Sequence, residues 1–161
     1  MLNFLGLLAV MGASVAVGVC YRGYREETIK YIVALYEFFV RLLREVECYG
    51  RSVSDWAGEF TSAPLMECGF LEMVRKGERL QKAFCEAKSK MQITKEVEEL
   101  VTLTLDHYGT RSIETEISEL KEAVRRIEEM IKTEKDAKDK SVRAVFAMSL
   151  GVAVGLCLLL S

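Results

Sequence analysis

The chain is poor in the residues that carry most enzyme chemistry. Its 161 residues hold one histidine, one proline and one tryptophan. A single imidazole, His107, leaves no second one for a zinc site or for a His-based nucleophilic array. No Gly-x-x-x-x-Gly-Lys-Ser/Thr loop, dinucleotide fingerprint or His-Glu-x-x-His pair occurs. One proline and 11 glycines in a Leu/Glu/Lys/Val-rich chain argue against a sandwich or barrel. With 22 Lys+Arg against 24 Asp+Glu, the net charge of −2 excludes a generally basic nucleic-acid binder. The five cysteines are an odd number without framework spacing. Cys48, Cys68 and Cys85 therefore read as buried small hydrophobes in a reducing compartment, with Cys20 and Cys157 within or beside the chain's apolar ends.

Charge is missing from both ends. No Asp, Glu, Lys or Arg precedes Arg22 or follows Arg143. Residues 2–20 contain only Asn3 and Ser14 as polar members, and a helix of that length spans roughly 28 Å, enough to cross a bilayer's hydrocarbon. Residues 144–160 span roughly 25 Å, at the short end of the range, so Val142 and the stem of Arg143 are expected to extend them. The alternative for this second segment is a buried core helix, although it is apolar on all faces. A cleaved signal peptide would begin with positive charge, which Met1-Leu2-Asn3 lacks, and Val19 is not the small residue that lipidation at Cys20 would need. A retained anchor is expected. Arg22 and Arg25 follow the first segment, while Lys135, Lys138, Lys140 and Arg143 precede the second. That bias predicts two spans with a cytoplasmic middle domain and both termini on the far side. Gly6, Gly12, Ala16 and Gly18, with Gly151 and Gly155, supply small residues for close packing of membrane helices.

Between the spans the pattern is helical, so the fold class is all-α: a six-helix bundle flanked by an N-terminal and a C-terminal transmembrane helix. A first bundle helix over 28–48 carries a wide apolar stripe through Ile32, Leu35, Tyr36, Phe39, Leu42, Leu43 and Val46. Gly50 ends it, and Ser52 caps a second over 53–60 with Asp55 in its first turn. Pro64 opens a third that stops at Arg75-Lys76-Gly77. A fourth covers 78–90, burying Leu80 and Phe84. Thr94 caps a fifth that closes at Gly109, and Ser112 caps a sixth. In the sixth, Ile113, Ile117, Leu120, Val124, Ile127 and Ile131 are spaced 4-3-4-3-4, an a/d seam. It packs either on its own bundle or against a second chain. Residues 133–143 are polar all round and read as a helical neck. The domains are thus 2–20, 22–132, 133–143 and 144–160.

The middle domain shows no chemistry. His107 beside Asp106 reads as a surface or packed side chain rather than a metal ligand, and Glu128/Glu129 as a solvated face. No charge lies inside either span to suggest a proton relay. The expectation is a non-enzymatic protein with no cofactor, no metal, no nucleic acid and no small-molecule substrate, whose partner is the membrane plus other proteins. Three functions compete: a docking platform, a generic two-span coiled-coil scaffold or signalling adaptor that dimerises through the seam, and a membrane enzyme of unrecognised type.

Several landmarks resemble one family. Ser149-Leu150-Gly151-Val152-Ala153-Val154-Gly155-Leu156 with its Leu-rich end, the opening Met1-Leu2-Asn3-Phe4-Leu5-Gly6, Leu42-Leu43-Arg44-Glu45-Val46, and Tyr108-Gly109 followed by Ser112 are similar to the stage III sporulation protein AB family of endospore-forming Firmicutes. The chain departs from that pattern at Ser52-Val53, where the family has Pro-Leu, at Thr104-Leu105, and at Phe84, where it has Trp. The resemblance implies a soluble domain like that of the type II secretion inner-membrane F protein. It also implies a platform in a secretion-like channel complex between mother cell and forespore, on the mother-cell side of the outer forespore membrane. Its partners would be a cytoplasmic ATPase, the stage III sporulation AA protein, and neighbouring membrane subunits of the channel. Charged residues near the turns are the candidate contacts: Glu45, Glu47, Arg51 and Asp55, with Asp106 and Arg111.

Overall fold

The computed structural model describes the backbone of residues 2–50 and 52–160. The side chains of 2–11, 13–15, 17, 142, 146, 149, 150 and 152–160 lie outside the description. Among the described residues the chain is all-helical: α1 Leu2–Cys48, α2 Val53–Ala57, α3 Ala63–Glu67, α4 Phe70–Arg75, α5 Leu80–Ala87, α6 Lys95–His107 and α7 Ile113–Leu160, with a 3₁₀ turn at Lys88–Lys90 after α5. It divides into two compact units. One holds residues 27–132, and the other holds 1–26 with 133–161.

Three departures from the expected elements have simple causes. The first apolar segment and the first bundle helix belong to one continuous helix, α1. No proline interrupts 20–28, and an interior glycine such as Gly23 costs only about 1 kcal/mol. The expected third helix is cut in two. Gly69 takes φ 85°, a left-handed conformation open to glycine, and its N–H donates to the Met66 carbonyl at 2.9 Å. The sharp turn lets Leu65, Phe70 and Leu71 all be fully buried. Seven helices, not six, therefore contribute to 27–132. The fourth expected helix also starts later, because Arg79 is extended and α5 begins at Leu80.

The core of this unit is lined by one side of α1. Ile32, Leu35, Phe38, Phe39 and Leu42 are fully buried there, at the three- and four-residue spacing of a helix face. Phe38 sits at the centre of an aromatic cluster, 5.4 Å from Trp56, 5.1 Å from Phe70 and 5.8 Å from Phe60 between ring centroids. Each such ring contributes roughly 1.5–3 kcal/mol by leaving water. Arg75 of α4 donates to the carbonyls of Ala57 at 3.0 Å and Phe60 at 2.8 Å, satisfying the backbone at the end of α2. From α7, Leu120 and Ile127 are buried and Ile131 is nearly so, while Ile113 is 66% exposed. The seam is thus spent on its own bundle from Leu120 onward.

In the other unit the ends of α1 and α7 run antiparallel. Gly18 lies against Val145, Glu26 is 2.8 Å from Lys138, and Arg25 pairs with Glu134. Helix α7 is unbroken through 133–143. Among the described residues no helix is long and apolar enough to cross a membrane. The apolar side chains of 2–11 and 152–160, on which much of the membrane expectation rests, lie outside that set.

Candidate functional site

A cleft opens in the 27–132 unit where three turns converge. The end of α6 brings Leu105, Asp106 and Tyr108. The α4–α5 turn brings Gly77, Glu78 and Arg79, and Val53 and Ser54 open α2. Its volume is ≈ 390 Å³. Glycines make the convergence possible at two of these turns. Gly77 and Gly109 adopt φ of 83° and 81°, each reversing the chain directly after a helix.

The cleft's polar groups are partly committed. Gln81 donates to Asp106 Oδ1 at 2.5 Å. Glu78 holds Lys82 at 2.9 Å, one turn along. The Gly109 N–H donates to Glu116 Oε1 at 2.6 Å, tying the turn to the first turns of α7. Tyr108 is half-buried, and burial, with a smaller push from Glu116, raises its phenol from 10.0 to about 12. Arg79 forms no ion pair among the described residues. The result is a walled recess with one free guanidinium at the rim, an arrangement suited to receiving a side chain or chain end of another protein.

The sequence candidates land in different places. Asp106 lines the cleft, and Asp55 is exposed next to Ser54, which lines it too. Glu47 is occupied by Lys121 of α7 at 2.6 Å, and Arg111 pairs with Glu119. Both clamp the start of α7 rather than standing free. Arg51 lies outside the described residues. Glu45 is the clearest correction: it is 1% exposed, with Oε1 2.7 Å from Arg41 Nη2 as an ion pair and neither carboxylate oxygen in a well-aligned hydrogen bond. A carboxylate so enclosed offers nothing to a partner in this conformation. Charge alone suggests a surface position, but its place four residues after Arg41 and three after the buried Leu42 puts it on the inward face.

Among the small residues of the ends, Gly12 and Gly151 face open space, and Ala16 is exposed. The close approach occurs instead at Gly18. The surroundings of Gly6 and Gly155 lie outside the described residues. Cys48 and Cys85 are exposed rather than buried, because each sits on the outer side of its helix. Cys68 alone of the three is buried, its thiol donating to the Leu65 carbonyl at 3.4 Å and pushed up by that burial.

Sequence reading also misses exposed apolar groups. Tyr49 is 62% exposed, Leu103 60% and Ile113 66%. Leu103 borders a second groove, ≈ 390 Å³, between α6 and α7, with His107, Glu119 and Arg126 around it. The helical wheel of α6, with Val97, Val101 and Leu105 buried, already leaves Leu103 on the outer side. Among the described residues no group of three His, Cys, Asp or Glu is placed to hold a metal ion. No protein-family model, curated protein or solved structure matches the chain.

Proposed function

We propose that this protein is a two-span membrane platform of a sporulation secretion-like channel complex, as its resemblance to the stage III sporulation protein AB family implies. Its 27–132 helical domain docks a cytoplasmic ATPase, the AA protein, beside other membrane subunits of the channel. The observation that carries the membrane part of this reading is the antiparallel pairing of the chain's two ends. Gly18 meets Val145 and Glu26 meets Lys138, so the charge boundaries at Arg22 and Arg143 lie at one level of the pair. Two uncharged segments that stop together at one level are what a bilayer selects, with Lys and Arg collected on the cytoplasmic side. The docking surface on this reading is the cleft bordered by Arg79, Asp106 and Tyr108. It commits no residue to catalysis, cofactor or metal.

Two measurements test it. The full chain should resist carbonate extraction, and protease added to the cytoplasmic face should cut only between the two spans, within 21–143. Purified ATPase should then bind the chain in detergent, with Arg79→Glu plus Asp106→Lys weakening capture at least tenfold while the melting temperature stays unchanged. Unchanged capture by that variant sinks the cleft as the docking surface. The rival scaffold reading, dimerisation through the seam, predicts symmetric cysteine cross-links at Leu120 and Ile127. Their burial within the chain's own core weighs against that outcome.

A further inference from the structure

Three cations of the terminal unit, Lys135, Lys140 and Arg143, are exposed and form no ion pair among the described residues, and Lys140 and Arg143 lie nearest the uncharged segment. The acids between the two helices are engaged already. Glu26 accepts from Arg22 at 3.0 Å and lies 2.8 Å from Lys138, and Lys138 above all, with Arg22, lowers its pKa, while Glu134 pairs with Arg25. Lys140 and Arg143 are exposed, and among the described residues neither forms an ion pair. Asp136 and Asp139, exposed one turn earlier, reach neither of them within ion-pair distance.

At 3.6 residues per turn, both cations lie about 140–160° around α7 from Lys138 and Val145, the positions that touch α1. They are three residues apart and so share a face. That face continues directly into Ala144 and Ala147, both exposed. Across on α1, Tyr21 and Tyr24 are exposed at the same level, amphipathic rings of the kind that settle between water and hydrocarbon. Tyr21 is oriented there by Arg25, which donates to its hydroxyl at 2.9 Å and 3.0 Å.

A cation pair stepping straight onto apolar surface matches one chemistry: a phosphate attached to hydrocarbon. An ammonium supplies a point charge, and a guanidinium a two-pronged donor. We propose that Lys140 and Arg143 bind the phosphate of an anionic phospholipid, with Ala144 and Ala147 along its acyl chain. The inference rests on the membrane reading above and adds to it a preference among lipids. A soluble phosphate would use the cations but leave the adjoining apolar face bare, so the occupant is the lipid.

The test uses the full chain in phosphatidylcholine bilayers carrying a trace of spin-labelled phosphatidylglycerol or spin-labelled phosphatidylcholine. The expected result is association of the anionic lipid favoured by about fivefold or more, since each cation at a membrane surface contributes on that order. The preference should shrink in high salt, vanish in Lys140→Gln plus Arg143→Gln, and survive in Lys140→Arg plus Arg143→Lys. Equal association of the two lipids overturns the proposal, as does full preference in the Gln variant. Displacement of the labelled lipid by millimolar glycerol phosphate overturns the assignment to a lipid. A carbonate wash of the same samples separates the layers of the argument. A chain that washes out defeats the membrane reading and this inference together, while a retained chain without preference defeats this inference alone.

Discussion

Gly18 meets Val145 so closely that a Cβ built on the glycine would lie 2.8 Å from Val145 Cγ1. Real Cβ atoms do not sit at that distance, so the contact exists because residue 18 has no side chain. Val145 is β-branched and rotates poorly out of the way.

Gly18→Ile should therefore part the two helices, lowering stability by about 1–3 kcal/mol in a thermal melt of the detergent-solubilised chain. Val145→Ala in the same chain should recover most of the loss. Gly12→Ile, facing open space, serves as the comparison and should change little. Equal losses at both glycines would show that the contact is not the cause.

Glu45 is enclosed with a single cation, Arg41, whose own side chain stays 33% exposed. Removing Arg41 strands a buried charge, so Arg41→Ala should cost about 3–5 kcal/mol. Glu45→Leu removes the charge that needed a partner and should be neutral or stabilising. Urea denaturation followed by the emission of Trp56, the chain's one tryptophan, reads both. A larger loss for Glu45→Leu than for Arg41→Ala would contradict this account.

Phe38 touches Trp56, Phe60 and Phe70 at once, so no small shift can fill the space it leaves. Phe38→Ala should cost about 3–5 kcal/mol, and Phe38→Leu less than half of that. The same emission should move to longer wavelength in the alanine variant as water reaches the indole.

Tyr108 supplies a pH signature. Burial favours the neutral phenol and raises its folded-state pKa from 10.0 to about 12. The folded state thus resists ionisation that the unfolded chain accepts. The associated stability is complete below pH 10 and is lost as pH climbs towards 12. Melting temperature against pH should fall in that window for the natural chain and fall less for Tyr108→Phe. Parallel curves would show that another group titrates.

Helix class and most helix ends are legible in the sequence because single residues fix them. Thr94 accepts from the Val97 N–H at 3.4 Å as an N-cap, and Gly50, Gly77 and Gly109 take positive φ where helices stop. Gly69 carries the same signal but stands inside a run of helix formers, so a periodic reading passes over it. Ser52 has a cap's backbone yet its hydroxyl shares a hydrogen with Ser54 instead, 2.8 Å away. Of the candidate contacts, Asp106 reaches the cleft, Arg111 pairs with Glu119 eight residues on, and Glu47 is drawn into an ion pair with Lys121 far along the chain, which no local pattern encodes.

The order of amino acids by itself determined the all-helical class, the uncharged ends and the glycine-marked turns, since each depends on propensity or hydropathy within a few residues. Only the tertiary structure decided that Glu45 points inward, that the seam from Leu120 is consumed by its own core, and that Gly18 rather than Gly12 receives a neighbour. These outcomes depend on which helix lies opposite, and a helix's rotation about its axis is settled by its packing partners rather than by its own sequence.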